Sequence, residues 1–120
     1  MRNFKKYDVW TDGVEFCVEV NKMTEQFPKK EANALSDQMQ RAAVSIPSNV
    51  AEGCSRRSEK EFGHFLEISL GSAYEVETQM EIAVRLGYIS KNQFEKASDS
   101  VQSIEKRLSS VINNIKPTNV

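Results

Sequence analysis

The chain has 120 residues, of which 39% are hydrophobic and 28% charged, and its formal net charge is -1. That length fits one domain around one core, spanning residues 1–120, and the balance is that of a folded chain rather than a disordered one. The near-neutral charge excludes a protein coated in basic residues for nucleic acid and leaves room only for a local basic patch. No apolar run approaches the roughly 18 residues needed to cross a membrane. The basic start MRNFKKYDVW has no apolar stretch behind it, as a secretory signal would. Cys17 and Cys54 lie far apart and form no Cys-x-x-Cys pair, so they read as buried reduced thiols of a cytoplasmic protein.

Behind a basic N-terminal arm, residues 1–8, the spacing predicts a first helix from about Val9 to Gln26 with Asp8 as N-cap. Trp10, Val14, Cys17 and Val18 make one apolar stripe; Phe16, Val20, Met23 and Phe27 make a second beside it. Pro28 stops this helix and suits the start of the next. The second stretch runs from about Lys30 to Arg57. Its apolar line Leu35, Met39, Ala42, Ile46, Val50 keeps its phase through Pro47, so it is read as one helix bent at the proline, not two short ones.

Ser58 with Glu61 three residues on is a capping box that opens the third helix. Its stripe is Phe62, Phe65, Ser69, Ala73, Val76, Met80 and Ala83, and Gly87 suits the left-handed residue that closes a helix. Ser90 with Gln93 is a second capping box. The fourth stripe is Phe94, Ala97, Val101, Ile104, Leu108, Val111 and Ile115, ended by Pro117 and followed by a tail, 116–120. No strand-like alternation occurs. Amphipathic helices with short loops imply an all-α, up-down-up-down four-helix bundle.

The third helix carries more apolar surface than one bundle can bury. Besides its stripe it has Ile68, Leu70, Ile82 and Leu86, with Tyr74 and Tyr88 near them, and the small residues of SLGSA that let another helix approach. A helix apolar on two sides is buried on two sides, most simply against another copy of the chain. A homo-oligomer is therefore expected, with these residues as its interface.

The stretch FPKKEANALSDQMQRAAVSIPSNVAEGCSRRSEKEFGHFLEISLGSAYEVETQMEIAVRLGYI, Phe27 to Ile89, resembles the bacterial four-helix-bundle family encoded by intervening sequences in large-subunit ribosomal RNA genes. The family pattern is F-P-x-x-E, L-x-x-Q-x-x-R-A-A-x-S-I, N-I-A-E-G, E-F-x-x-F-L-x-I-A-x-G-S and E-x-E-T. The chain departs from it at Val50, where the pattern has isoleucine, and at Ser69, where it has alanine. The resemblance implies a ring-shaped homo-pentamer of four-helix bundles. A similar barrel occurs in accessory proteins of diversity-generating retroelements, which bind nucleic acid and a reverse transcriptase; that likeness is one of fold.

Candidate chemistry is sparse. Glu61 and His64 form one Glu-x-x-His, half of a di-iron carboxylate site, but the chain has a single histidine and Glu61 already serves as a cap. Glu67, Glu75, Glu77 and Glu81 read as a solvated or interfacial face, since no nucleophile or glycine-rich loop accompanies them. The polar line Arg41, Ser45, Ser48, Asn49, Glu52 and Arg56 has three readings: plain solvent exposure, a hydrogen-bonded lattice to a neighbouring helix in which Glu75 or Glu77 meets Arg41, or a phosphate-binding surface. For the last, Arg56, Arg57 and Lys60 with the Ser55 and Ser58 hydroxyls surround the start of the third helix. The arm residues Arg2, Lys5 and Lys6, interleaved with Phe4 and Tyr7, suit a nucleic-acid strand. The sequence thus points to a non-enzymatic, cofactor-free, cytoplasmic oligomer that binds RNA or DNA through repeated basic patches. The alternative is an adaptor that binds another protein through the oligomer surface.

Overall fold

Apolar residues at steps of three and four dictate helices, and the computed structural model, which describes residues 2–31 and 34–115, contains four of them and no strand among those residues. They are α1 (Asp8–Thr24), α2 (Leu35–Cys54), α3 (Glu59–Arg85) and α4 (Lys91–Asn114). Pro117 and the tail lie outside the described residues. The helices form a bundle of 50 × 23 × 22 Å in which α1 packs on α2, α2 on α3, α3 on α4, and α4 back on α1.

The boundaries follow local chemistry. Asp8 is the first residue of α1 rather than its cap; Tyr7 caps it through its backbone. At that position the Asp8 carboxylate faces the positive end of the helix dipole. The arm is ordered: Phe4–Lys6 form a 3-10 turn capped by the Asn3 side chain, and Phe4 meets Trp10 edge-on at 5.1 Å. α2 starts later than Lys30 because Pro28 to Glu31 close a 3-10 turn of their own, and the apolar line begins only at Leu35. It ends before Arg57 because the Ser55 hydroxyl bonds the Glu52 carbonyl at 2.6 Å.

α2 runs unbroken through Pro47. Proline has no N–H, so the carbonyl of Ala43, four residues back, loses its helical donor. The Cys17 thiol of α1 donates to that carbonyl at 3.0 Å. Burial pushes the Cys17 thiol up to about 11, so it stays protonated and remains a donor. One turn away in α1, a Cβ on Gly13 would stand 3.3 Å from the Pro47 Cβ; the bare glycine lets the proline ring seat there. On the other flank of α2, the Ser69 hydroxyl of α3 bonds the Ile46 carbonyl at 2.8 Å. Gly53 permits a similar close approach to Phe65 and the Phe62 carbonyl.

The core between the helices holds Phe16 and Val20 from α1, Met39, Ile46 and Val50 from α2, Leu66, Val76 and Met80 from α3, and Val101, Ile104 and Leu108 from α4. The expected double stripe of α1 is half right: Phe16, Val20, Met23 and Phe27 are buried, but Val14 and Val18 point outward. Leu66, outside the predicted α3 stripe, is fully buried.

Ser58 caps the start of α3 and Ser90 that of α4, but only Ser90 makes the expected capping box in full. Ser58 Oγ accepts from the Glu61 N–H at 3.1 Å, although Glu61 does not return a bond to the Ser58 backbone. Ser90 and Gln93 make the full reciprocal box. Gly87 has φ 77°; the Tyr88 N–H reaches the Ala83 carbonyl and the Gly87 N–H that of Val84. Those two bonds close α3 in a Schellman turn. A Cβ at Gly87 would meet nothing, so Gly87→Ala tests backbone conformation alone. It should lower unfolding stability by about 1 kcal/mol, measured by urea titration, without loss of helix.

Candidate functional site

The junction of α2 and α3 holds Arg56, Arg57 and Lys60 of the basic residues singled out in the sequence and takes in Arg2, with the charges of Arg2 and Arg56 committed, while Lys5 and Lys6 belong to the 3-10 turn of the arm. Arg56 pairs with Glu52 one turn back at 2.9 Å and lies over the Phe65 ring, 4.7 Å from its centre. The arm brings Arg2 to the same place. Its guanidinium donates to the Arg56 carbonyl at 3.2 Å, sits 4.0 Å over the Phe62 ring and pairs with Glu59. Tyr7 also packs on Phe62, 5.9 Å between ring centres. Cys54 lies beneath; burial raises its thiol and the nearby Arg2 charge opposes that shift. Arg57, Lys60, Lys5 and Lys6 are exposed and enter no ion pair among the described residues.

The polar line of α2 is resolved locally. Arg41 bonds Asp37 at 2.9 Å within its own helix, not Glu75 or Glu77, and stays exposed. A pair four residues apart on one helix costs little ordering, which is why it forms before a bond across the bundle. Only the middle of the line crosses to α3: Ser72 donates to the Ser45 hydroxyl at 2.8 Å, and Asn49 bonds the Ser45 hydroxyl and carbonyl. Glu75 accepts from Gln79 on its own helix.

The predicted interface residues divide. Ile68, Ile82, Leu86 and Tyr74 are 39%, 45%, 55% and 51% exposed. Leu70 instead packs against the chain's own core, and Tyr88 packs tilted on Phe27 with 5.3 Å between ring centres, so both are already partly used. Of the exposed ones, Ile68, Ile82 and Leu86 fall on a line along the outward face of α3 that runs His64, Ile68, Gly71, Glu75, Thr78, Ile82, Leu86, all exposed, while Tyr74 lines the groove between α3 and α4. A Cβ on Gly71 would find nothing within 4 Å, so no contact of the chain itself requires glycine there. His64 lies edge-on to Phe65, and among the described residues no three or more His, Cys, Asp and Glu side chains come together to hold a metal.

One feature escaped the sequence reading. Glu105, within the apolar stripe of α4, is 9% exposed and lies against Glu77 of α3. Burial first, then the hydrogen bond and charge of Glu77, push the Glu105 carboxyl up to about 8. It is therefore protonated at neutral pH and can donate to Glu77, which also accepts from Gln102 at 2.9 Å. The signal was Glu105 falling four residues after Val101 and three before Leu108, at a core-facing position.

Comparison with known proteins places this geometry. A crystal structure of a protein of unknown function from the S23 ribosomal protein family of Bacteroides thetaiotaomicron superposes with a TM-score of 0.80. It is 28% identical, and the match covers 88% of this chain and 99% of that one. No curated protein matched. No helix among the described residues is long and apolar enough to cross a membrane.

A raised carboxyl stabilises the fold below its unfolded value, near 4.5, and that contribution is lost as pH rises through about 8. The melting temperature of the protein should therefore fall across that window, and Glu105→Gln should flatten the fall; an unchanged slope in the variant would remove Glu105 as its cause. Residues 5–110 match the family described as 23S rRNA-intervening sequence protein, and the chain belongs to that family.

Proposed function

We propose that the protein is a non-enzymatic, cytoplasmic assembly of identical up-down-up-down bundles, joined through the outward face of α3, that presents its basic ends as a repeated patch to RNA or DNA. The observation that carries the assembly is the exposed line through Ile68, Gly71, Ile82 and Leu86. Glycine inside a helix costs about 1 kcal/mol relative to alanine. At Gly71 the chain's own packing offers no return for that cost, whereas a second helix crossing there would come close. The family resemblance favours a closed ring of five copies.

For the nucleic-acid role, support comes from the ordering of the arm. Docking Arg2 beside Arg56 brings the arm to the α2–α3 junction, where Arg57 and Lys60 are exposed. Each patch is weak, because Glu52 and Glu59 neutralise part of it. Several patches on one ring add through avidity. That same neutralisation favours the second reading, an adaptor that binds another protein and has no use for phosphate.

Light scattering on the purified chain should give several times the chain mass, and Ile82→Asp should lower it with helix content unchanged. A monomer at micromolar concentration would end the assembly reading. The same preparation should retain RNA or DNA at low salt and release it as salt rises, with Arg57→Gln and Lys60→Gln weakening retention alike on every sequence. No retention at low salt would leave the adaptor reading in its place.

A further inference from the structure

The groove between α3 and α4, which Thr78 of the outward line borders, has the makings of a second site. Its volume is about 630 Å³ where it is lined by Tyr74, Glu77, Gln102, Glu105, Asn113 and Asn114. It continues past Tyr74 and Gln102 towards Glu81 and Ser98. Two of its polar side chains are more than nine-tenths buried and hold an unpartnered oxygen: Ser98 Oγ, in a residue 8% exposed, and Glu105 Oε2, in a residue 9% exposed. A buried polar atom without a partner is costly, so such atoms beneath an open groove mark a place where a donor belongs.

We propose that the α3–α4 groove binds an arginine side chain of a protein partner, its guanidinium stacked on Tyr74 and hydrogen-bonded to Glu77 and Glu105. Three features select this occupant. Two carboxyl groups side by side match the planar fork of a guanidinium better than the point charge of an ammonium. Tyr74 is half exposed at the junction of the two stretches and offers a ring face to a cation. None of the chain's own arginines lines the groove, and Arg2, Arg41, Arg56, Arg85 and Arg107 are each paired within the chain, to Glu59, Asp37, Glu52, Glu81 and Asp12, which leaves Arg57 as the one arginine without an ion pair among the described residues.

Binding is coupled to a proton. Glu105 carries one at neutral pH and gives it up when the guanidinium arrives, so one proton leaves for each arginine bound. The charged groups around Glu105 are Glu77 from α3 and Lys106 on its own helix. On the far side of α4, the Asp12, Glu15, Glu19 and Lys22 side chains of α1 line a separate groove, with Lys96 and Arg107 of α4. Lys106 also lines the α3–α4 groove and forms no ion pair among the described residues, so the guest must approach past it.

The test is a titration of the isotope-labelled full chain with an acetylated, amidated tri-arginine peptide, followed by amide resonances at several pH values. Ser98, Gln102 and Glu105 should shift. Affinity should rise about tenfold per pH unit up to about 8 and level off above it. Tri-lysine should bind at least about fivefold more weakly, for want of the planar fork. Glu105→Gln should abolish the pH dependence, and its melting temperature confirms that it is folded. Shifts confined to other acidic surfaces, no shift at all, or a pH dependence that survives Glu105→Gln would overturn the proposal. Groove resonances that move with protein concentration alone would also overturn it, by assigning the groove to a second copy of the chain.

Discussion

The bundle is organised around a missing hydrogen bond. Pro47 removes the donor that the Ala43 carbonyl would otherwise use, in the middle of α2, where the carbonyl is shut away from water. An unmet buried carbonyl costs roughly 1–3 kcal/mol. The vacancy is filled from α1, by a thiol that burial keeps protonated. Gly13 clears room for the proline ring, and Ser69 ties α3 to the next carbonyl but two. Three helices are thus fixed in rotation and register at one crossing, and α4 fills the remaining side.

Once that crossing is set, the outward faces are set too. With Ser69 held on α2, Ser72 meets Ser45, and the residues roughly opposite the core, Ile68, Gly71, Ile82 and Leu86, turn to the outside. The other flank of α3 faces α4 and places Glu77 against Glu105. At the basic end, aromatic rings do the positioning. Phe62 and Phe65 carry Arg2 and Arg56 on their faces, and the flanking carboxylates hold them there. This explains how a chain of net charge -1 can concentrate cations at one end and still keep that end stable.

The four helices were legible because their stripes hold phase, and the caps because Ser58, Ser90 and Gly87 act over three or four residues. The continuity of α2 was legible from Ile46 and Val50 sharing one face across Pro47. What was not legible is long-range. The partner of the Ala43 carbonyl comes from 26 residues away. Arg2 finds Glu59 only when the arm folds back. One of the three readings of the polar line took Arg41 across to α3, and it instead pairs with Asp37, since a sequence line of polar residues does not show which of two acids is nearer in energy. Glu105 sat in plain view on the apolar stripe, but a carboxyl there reads as the edge of the stripe until the neighbouring Glu77 is in place.

The role of the α2 crossing is most directly measured by a double-mutant cycle on Cys17 and Pro47, with stability read by urea unfolding of Cys17→Ala, Pro47→Ala and the pair. In the native background Cys17→Ala should cost about 1–3 kcal/mol, because it strands the Ala43 carbonyl. With alanine at 47 the backbone N–H returns to that carbonyl, so the cost of removing the thiol should shrink by about 1 kcal/mol or more, a coupling well above the noise of such cycles. Equal costs in both backgrounds would mean that the thiol and the proline are independent, and that the crossing is held by packing alone.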